Sequence, residues 1–217
     1  MKKAIGLGAL ALACILAMGQ GESAATVIVF RHGLEFSGTR PAGAAPWLTA
    51  TIDDHGSAGS VTLTLEATNL TDGEFVSAWY FNLDPNLAAS GLIFSAPTKT
   101  GLFDSPTIDV GTNDFKADGD GRFDILLSFT TNQSGDQNRF TADDVVSYTV
   151  TGPSALTASS FSFLSASSPG SGYPTAAHVQ GVGSTGGWVT VPEPGTLLLL
   201  LACAVPALRR RRREARA

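Results

Sequence analysis

The chain has 217 residues, 43% of them hydrophobic, with 14 basic and 19 acidic side chains, two cysteines and a formal charge of −5. Setting aside two strongly apolar ends leaves residues 26–191, one domain's worth and long enough for a real core. That body holds six basic side chains (Arg31, Arg40, Lys99, Lys116, Arg122 and Arg139) against 16 acidic ones, a balance of −10 that argues against nucleic acid and anionic lipid as partners.

In chain order, Met1-Lys2-Lys3 precedes an apolar run from Ala4 to Met18 and then small residues. A basic start, a short apolar helix and small residues make a secretory signal peptide, assigned to 1–25. Cleavage fits after Gly19, with Ala17 three positions back, or after Ala25, with Ser23 there; Ala25 is preferred because Thr26 opens a strand-like run. A lipoprotein reading through Cys14 fits worse, since Ala11 is a poor residue at the third position before it and the apolar run continues past it. Cys14 and Cys203 both lie in the terminal apolar segments, so the body of an exported chain holds no disulfide and relies on its core.

The body, 26–182, reads as strands. Thr26–Arg31 is apolar on both faces, as in a buried strand. Val61, Leu63, Leu65 and Ala67 alternate with Thr62, Thr64, Glu66 and Thr68. After an Asn69–Gly73 turn, Phe75–Leu83 puts Phe75, Trp79, Phe81 and Leu83 on one face. Phe123, Ile125, Leu127 and Phe129 alternate in the same way, and Val145–Val150 follows. Shorter candidates are Trp47–Ile52, Leu92–Ser95, Phe161–Leu164 and Ala176–Val182. No long 3.6-residue apolar period interrupts them. The expected fold is all-β, an antiparallel β-sandwich with a jelly roll as one topology, flanked by an N-terminal signal helix and a short C-terminal hydrophobic helix.

Four constellations could carry chemistry. Val27–Gly33 is a strand running into Arg31-His32-Gly33, which resembles the start of a histidine phosphatase, with His32 implied as nucleophile and Arg31 as phosphate ligand. That chemistry also needs a second histidine, more arginines and an α/β scaffold, whereas the rest of the body offers only His55 and His178. Asp53-Asp54 and Asp143-Asp144 are adjacent carboxylates that point opposite ways on a strand, which suits polar strand ends better than a glycosidase pair. No Gly-x-Ser-x-Gly turn follows a strand, and the histidines lack zinc-ligand spacing. Asp118, Asp120 and Asp124 crowd around Gly119 and Gly121, and two readings stay open there: a calcium site built from hard oxygen ligands, or an acidic hairpin turn without a metal. It is not an EF-hand, because Lys116 and Leu127 fall where the first and last carboxylates belong. Trp47, Trp79, Tyr80, Tyr173 and Trp188 could stack on sugars, though Trp79 fits the core.

Ser165–Gly172 and Gly181–Gly187 are rich in glycine and serine, and 183–191 is read as a Gly-rich linker. Then come Val191, Pro192-Glu193-Pro194, an apolar run from Thr196 to Leu208, and Arg209, Arg210, Arg211, Arg212 and Arg213. As a helix that run rises about 20 Å, short of a bilayer core of about 30 Å, and Pro206 weakens it. The arginines stay on the cytoplasmic side, leaving the extended Pro-Glu-Pro outside. This order resembles the PEP-CTERM sorting signal, assigned to 192–217. "TLEATNLTDGEFVSAWYFNLDP", "FKADGDGRFDILLSF" and "LTASSFSFLS…AAHVQGVG" resemble a β-rich body that recurs in such proteins. The resemblance implies a chain exported by the secretion machinery. It would be held in transient contact with the inner membrane and processed near Pro192-Glu193-Pro194 by an exosortase. The product would reach the cell surface or extracellular matrix as a non-enzymatic protein associated with exopolysaccharide. A secreted hydrolase and a carbohydrate-binding module are the alternatives. Calcium at the acidic turn is the one cofactor considered.

Overall fold

The computed structural model describes residues 24–71, 73–132, 138–166, 172–183 and 185–192. The signal peptide up to Ser23 and the tail from Glu193 onward, including the helices expected in both, lie outside the described residues. Among the described residues no helix is long and apolar enough to cross a membrane.

Among the described residues twelve antiparallel strands form two six-stranded sheets. In the first, β1 (Val27–His32), β3 (Leu48–Asp53), β4 (Ser60–Glu66), β10 (Val145–Thr151) and β6 (Ile93–Phe94) lie in that order, with β7 (Thr98–Thr100) also paired to β10. The second runs β2 (Leu34–Gly38), β12 (Thr185–Thr190), β11 (Thr175–Val182), β5 (Phe75–Phe81), β9 (Arg122–Ser128) and β8 (Thr107–Lys116). Period-two alternation decides which side chains meet between the sheets. In β4, Val61, Leu63 and Leu65 are buried while Thr62 and Thr64 are only half covered. Leu48, Ile52, Leu63 and Leu65 from the first sheet join Trp79, Phe81, Ile125 and Leu127 from the second in one core, all at 1% exposure or less. Burying each such side chain stabilises the fold by about 1.5–3 kcal/mol, and Trp79 and Phe81 add a stacked pair at 6.2 Å.

The all-β expectation holds, and four details change. Val27–His32 is an edge strand rather than a buried one: its partner is β3 alone, and Val27 and Val29 stand 52% and 42% exposed. Phe161–Leu164 is not a strand. A 3-10 turn occupies Ala158–Phe161, and Phe163 and Leu164 emerge exposed beyond it. The linker expected over 183–191 is mostly β12, held between β2 and β11 with Val189 and Thr190 fully buried. Its glycines serve contact rather than slack, since a Cβ on Gly187 would overlap the Thr39 carbonyl. Finally, β8 escapes the alternation rule because its register with β9 shifts between Val110 and Phe115, around an Asn113 at φ 53°.

Candidate functional site on the outer face of the second sheet

The sequence-named residues scatter to separate duties. His32 is fully buried between the sheets, its ring edge-on to Trp79 at 4.9 Å. The Thr175 hydroxyl donates to the Tyr80 carbonyl at 2.7 Å and accepts from Trp79 Nε1 at 3.3 Å. A hydroxyl has one proton to give, so at the 3.2 Å contact His32 Nε2 must be the donor. Among the described residues His32 Nδ1 is buried without a hydrogen-bond partner. Burial pushes its pKa down to about 3, against a smaller opposing pull from the Leu48 and Phe30 backbone. A nucleophile so enclosed cannot meet a phosphate ester. Arg31, its neighbour, is exposed on the other side of the strand.

The three turn aspartates do not converge. Asp124 is buried on β9 and accepts from the Leu83 and Asn113 amides at 2.8 and 2.7 Å, holding the exit of β5 and the irregularity in β8. Asp120, also buried, accepts from the Ser165 hydroxyl at 3.0 and 2.9 Å. Asp118 is exposed and accepts from the Ser37 hydroxyl at 3.2 Å. Among the described residues no three His, Cys, Asp or Glu side chains gather into a metal site. In this structure the β8–β9 connection is a hairpin turn whose carboxylates fix separate backbone and hydroxyl donors instead of converging. The adjacent pairs act similarly. Asp54 accepts from the Thr26, Gly56 and Ala158 amides at 2.8, 3.0 and 3.3 Å, and Asp144 accepts from the Thr141 amide at 2.7 Å. Glu74, 2% exposed, accepts from the Ala42 and Thr71 amides at 2.7 and 2.8 Å. Much of the acidity of the body is therefore internal stapling, which a count of charges cannot distinguish from a ligand site.

The aromatic side chains give the one coherent surface. Trp47, Trp79 and Tyr80 are buried, while Tyr173 and Trp188 are half-buried. Because Trp79, Ala177, Val179 and Val189 face the core, their strand neighbours Ala78, His178 and Trp188 face outward. The register sets His178 between Trp188 and Ala78, and the small alanine leaves its ring accessible on that side. His178 stacks on Trp188 at 4.5 Å and 16°. Phe36 of β2 follows at 6.4 Å from Trp188, and Tyr173 lies 5.0 Å from Phe36. Tyr80 lies 5.6 Å from Trp188 and 5.5 Å from Phe123, which extends the cluster of rings.

At one end the row opens into a groove of about 480 Å³ lined by Phe75, Arg139, His178, Gln180, Thr185 and turn glycines. That volume lies within the usual range of small-molecule sites, about 300–1,000 Å³. The Arg139 guanidinium lies over the Phe75 ring at 4.1 Å and donates to the Thr131 carbonyl at 3.1 Å. Among the described residues no carboxylate pairs with it. His178 Nδ1 meets the Ser77 hydroxyl at 2.9 Å; burial lowers its pKa, and the negative charge of Asp118 pulls the other way. Gly186 is part of the construction, because a Cβ there would sit 3.1 Å from His178 Nε2 and intrude on the groove. Half-buried rings next to amide, guanidinium, hydroxyl and carboxylate groups can bind a ligand that has both C–H faces and hydroxyls. Beside them the Ser77 hydroxyl and the His178 imidazole form a hydrogen-bonded pair.

Of this surface the sequence pointed to Tyr173 and Trp188; it missed His178, Phe36, Gln180 and Arg139. The missing signal was β12, since only its pairing with β2 and β11 sets those side chains side by side. Comparison with protein-family models, with curated proteins and with solved structures finds no match to this chain.

Proposed function

We propose that this chain is an exported protein, sorted through its C-terminal tail by an exosortase and placed at the cell surface or in the extracellular matrix, where it acts without catalysis. The observation that carries this reading is the order of parts in the sequence from Val191 to Arg213: a Pro-Glu-Pro tripeptide, an apolar run too short to be a comfortable permanent span, and five arginines. Such a tail halts the chain briefly in the inner membrane with the tripeptide presented outside. The N-terminal signal segment supplies the secretion machinery as first partner. The position of Pro192 suits this scheme, for it is exposed two residues past the end of β12, clear of the sheet. The body carries no cysteine, so in an oxidising exterior it relies on its packed core and not on disulfides. Its role there is to bind or scaffold, with exopolysaccharide as the natural company of such a surface.

The phosphatase form of the rival hydrolase reading loses support, since His32, its nucleophile, is closed inside the core. The tail is tested by replacing Pro192, Glu193 and Pro194 with alanines in a host that has an exosortase. The altered chain is expected to accumulate uncleaved in the membrane fraction while the unaltered chain leaves it. Equal release of both would refute the role given to the tripeptide.

A further inference from the structure

We propose that the outer face of the second sheet, from Tyr173 and Phe36 through Trp188 and His178 to the groove at Gln180 and Arg139, binds a neutral glycan chain. The rings follow one another at centroid spacings of 5.0, 6.4 and 4.5 Å, so the face offers a row rather than a single pocket. A row of rings suits a chain of stacked units more than one small molecule. Pyranose rings present C–H faces that pack on aromatic rings, and hydroxyl pairs that need planar partners able to give and take hydrogen bonds. The rim supplies such partners: the Gln180 amide, the Arg139 guanidinium, the Thr185 hydroxyl and the exposed Asp118 carboxylate beside Ser37. The groove carries Arg139 in a preset position on Phe75, which reduces the ordering cost of a contact.

Charge selects among glycans. The body stands at −10, and Asp118 lies close enough to His178 to act on its ring. A polyuronate would meet that field as a like charge, whereas a neutral chain is indifferent to it. Arg139 is a single cation and serves as a hydroxyl donor here, not as the seat of an anion.

The inference rests on the non-catalytic reading above, and its test separates the two. The full chain is purified in a detergent without a sugar headgroup and titrated with cellohexaose, laminarihexaose, mannohexaose and an alginate hexamer. Tryptophan emission reports the face, because Trp47 and Trp79 are buried and Trp188 is half-buried; calorimetry gives the affinity. At least one neutral hexamer should produce a saturable change. Trp188→Ala should weaken it about tenfold, the scale of one lost aromatic contact. Gln180→Ala should weaken it as well while leaving the circular dichroism unchanged, which covers the case where the tryptophan variant misfolds. Silence from all three neutral hexamers, tighter binding of alginate, or full binding by the folded Gln180 variant would each overturn the proposal. Reducing ends are assayed in the same mixtures. Their release alongside Trp188-dependent binding would leave the glycan face standing and remove the non-catalytic reading.

Discussion

At the residue scale, His32 shows what a motif is worth without its surroundings. Arg-His-Gly at a strand end looks reactive in sequence, yet the fold seals the imidazole beside Trp79 and commits its one proton to Thr175. The consequence is acid sensitivity. With a folded pKa of about 3 against an ordinary value of 6.5, the unfolded chain binds the proton first as pH falls. Stability is thus lost through the window from 6.5 down to 3, by about 2 kcal/mol at pH 5 from this residue alone. Asp54, whose backbone donors, Thr26 first, hold its carboxyl below the usual range, adds a further loss at pH values under that range. Urea denaturation at pH 7.5 and pH 5 should show the difference, and His32→Gln should remove most of it even if the variant is weaker overall. An unchanged difference would mean that His32 is protonated in the folded state.

At the element scale the most instructive strand is β12. Alternation made β4, β5, β9 and β10 legible, because each has one apolar and one polar or outer face over about seven residues. "GVGSTGGWVT" offers neither the alternation nor the propensity, and its glycines suggest slack. What they provide is close approach: Gly187 against the Thr39 carbonyl and Gly181 against that of Gly73, both spatial neighbours far away in sequence. The same long-range cause hid β2 and the irregular β8, and with them most of the aromatic row. Gly187→Ala discriminates a strand from a linker. In a strand the added methyl forces β2 away and should lower stability by about 1–3 kcal/mol, read as a shift of the denaturation midpoint. A silent substitution would return the segment to the linker reading.

At the scale of the whole molecule, two acidic features need opposite readings from the same composition. The carboxylates of Asp54, Glu74, Asp120, Asp124 and Asp144 are internal fastenings, while the remaining charge sets the long-range field outside. Each of these carboxylates is held by amide or hydroxyl donors of the protein. Its melting temperature should be the same in millimolar calcium as in chelator, since only a ligand that binds the folded state would raise it; a rise that Asp120→Asn abolishes would restore the metal site. The sandwich and its face bear on the proposed binding and the tail on the proposed delivery, and delivery is the central claim. It is tested most directly by mass spectrometry of the C-terminal peptide of the exported protein. The account predicts an end near Pro192-Glu193-Pro194, with the segment from about Thr196 onward missing. An intact end at Ala217 in the extracellular fraction would contradict it.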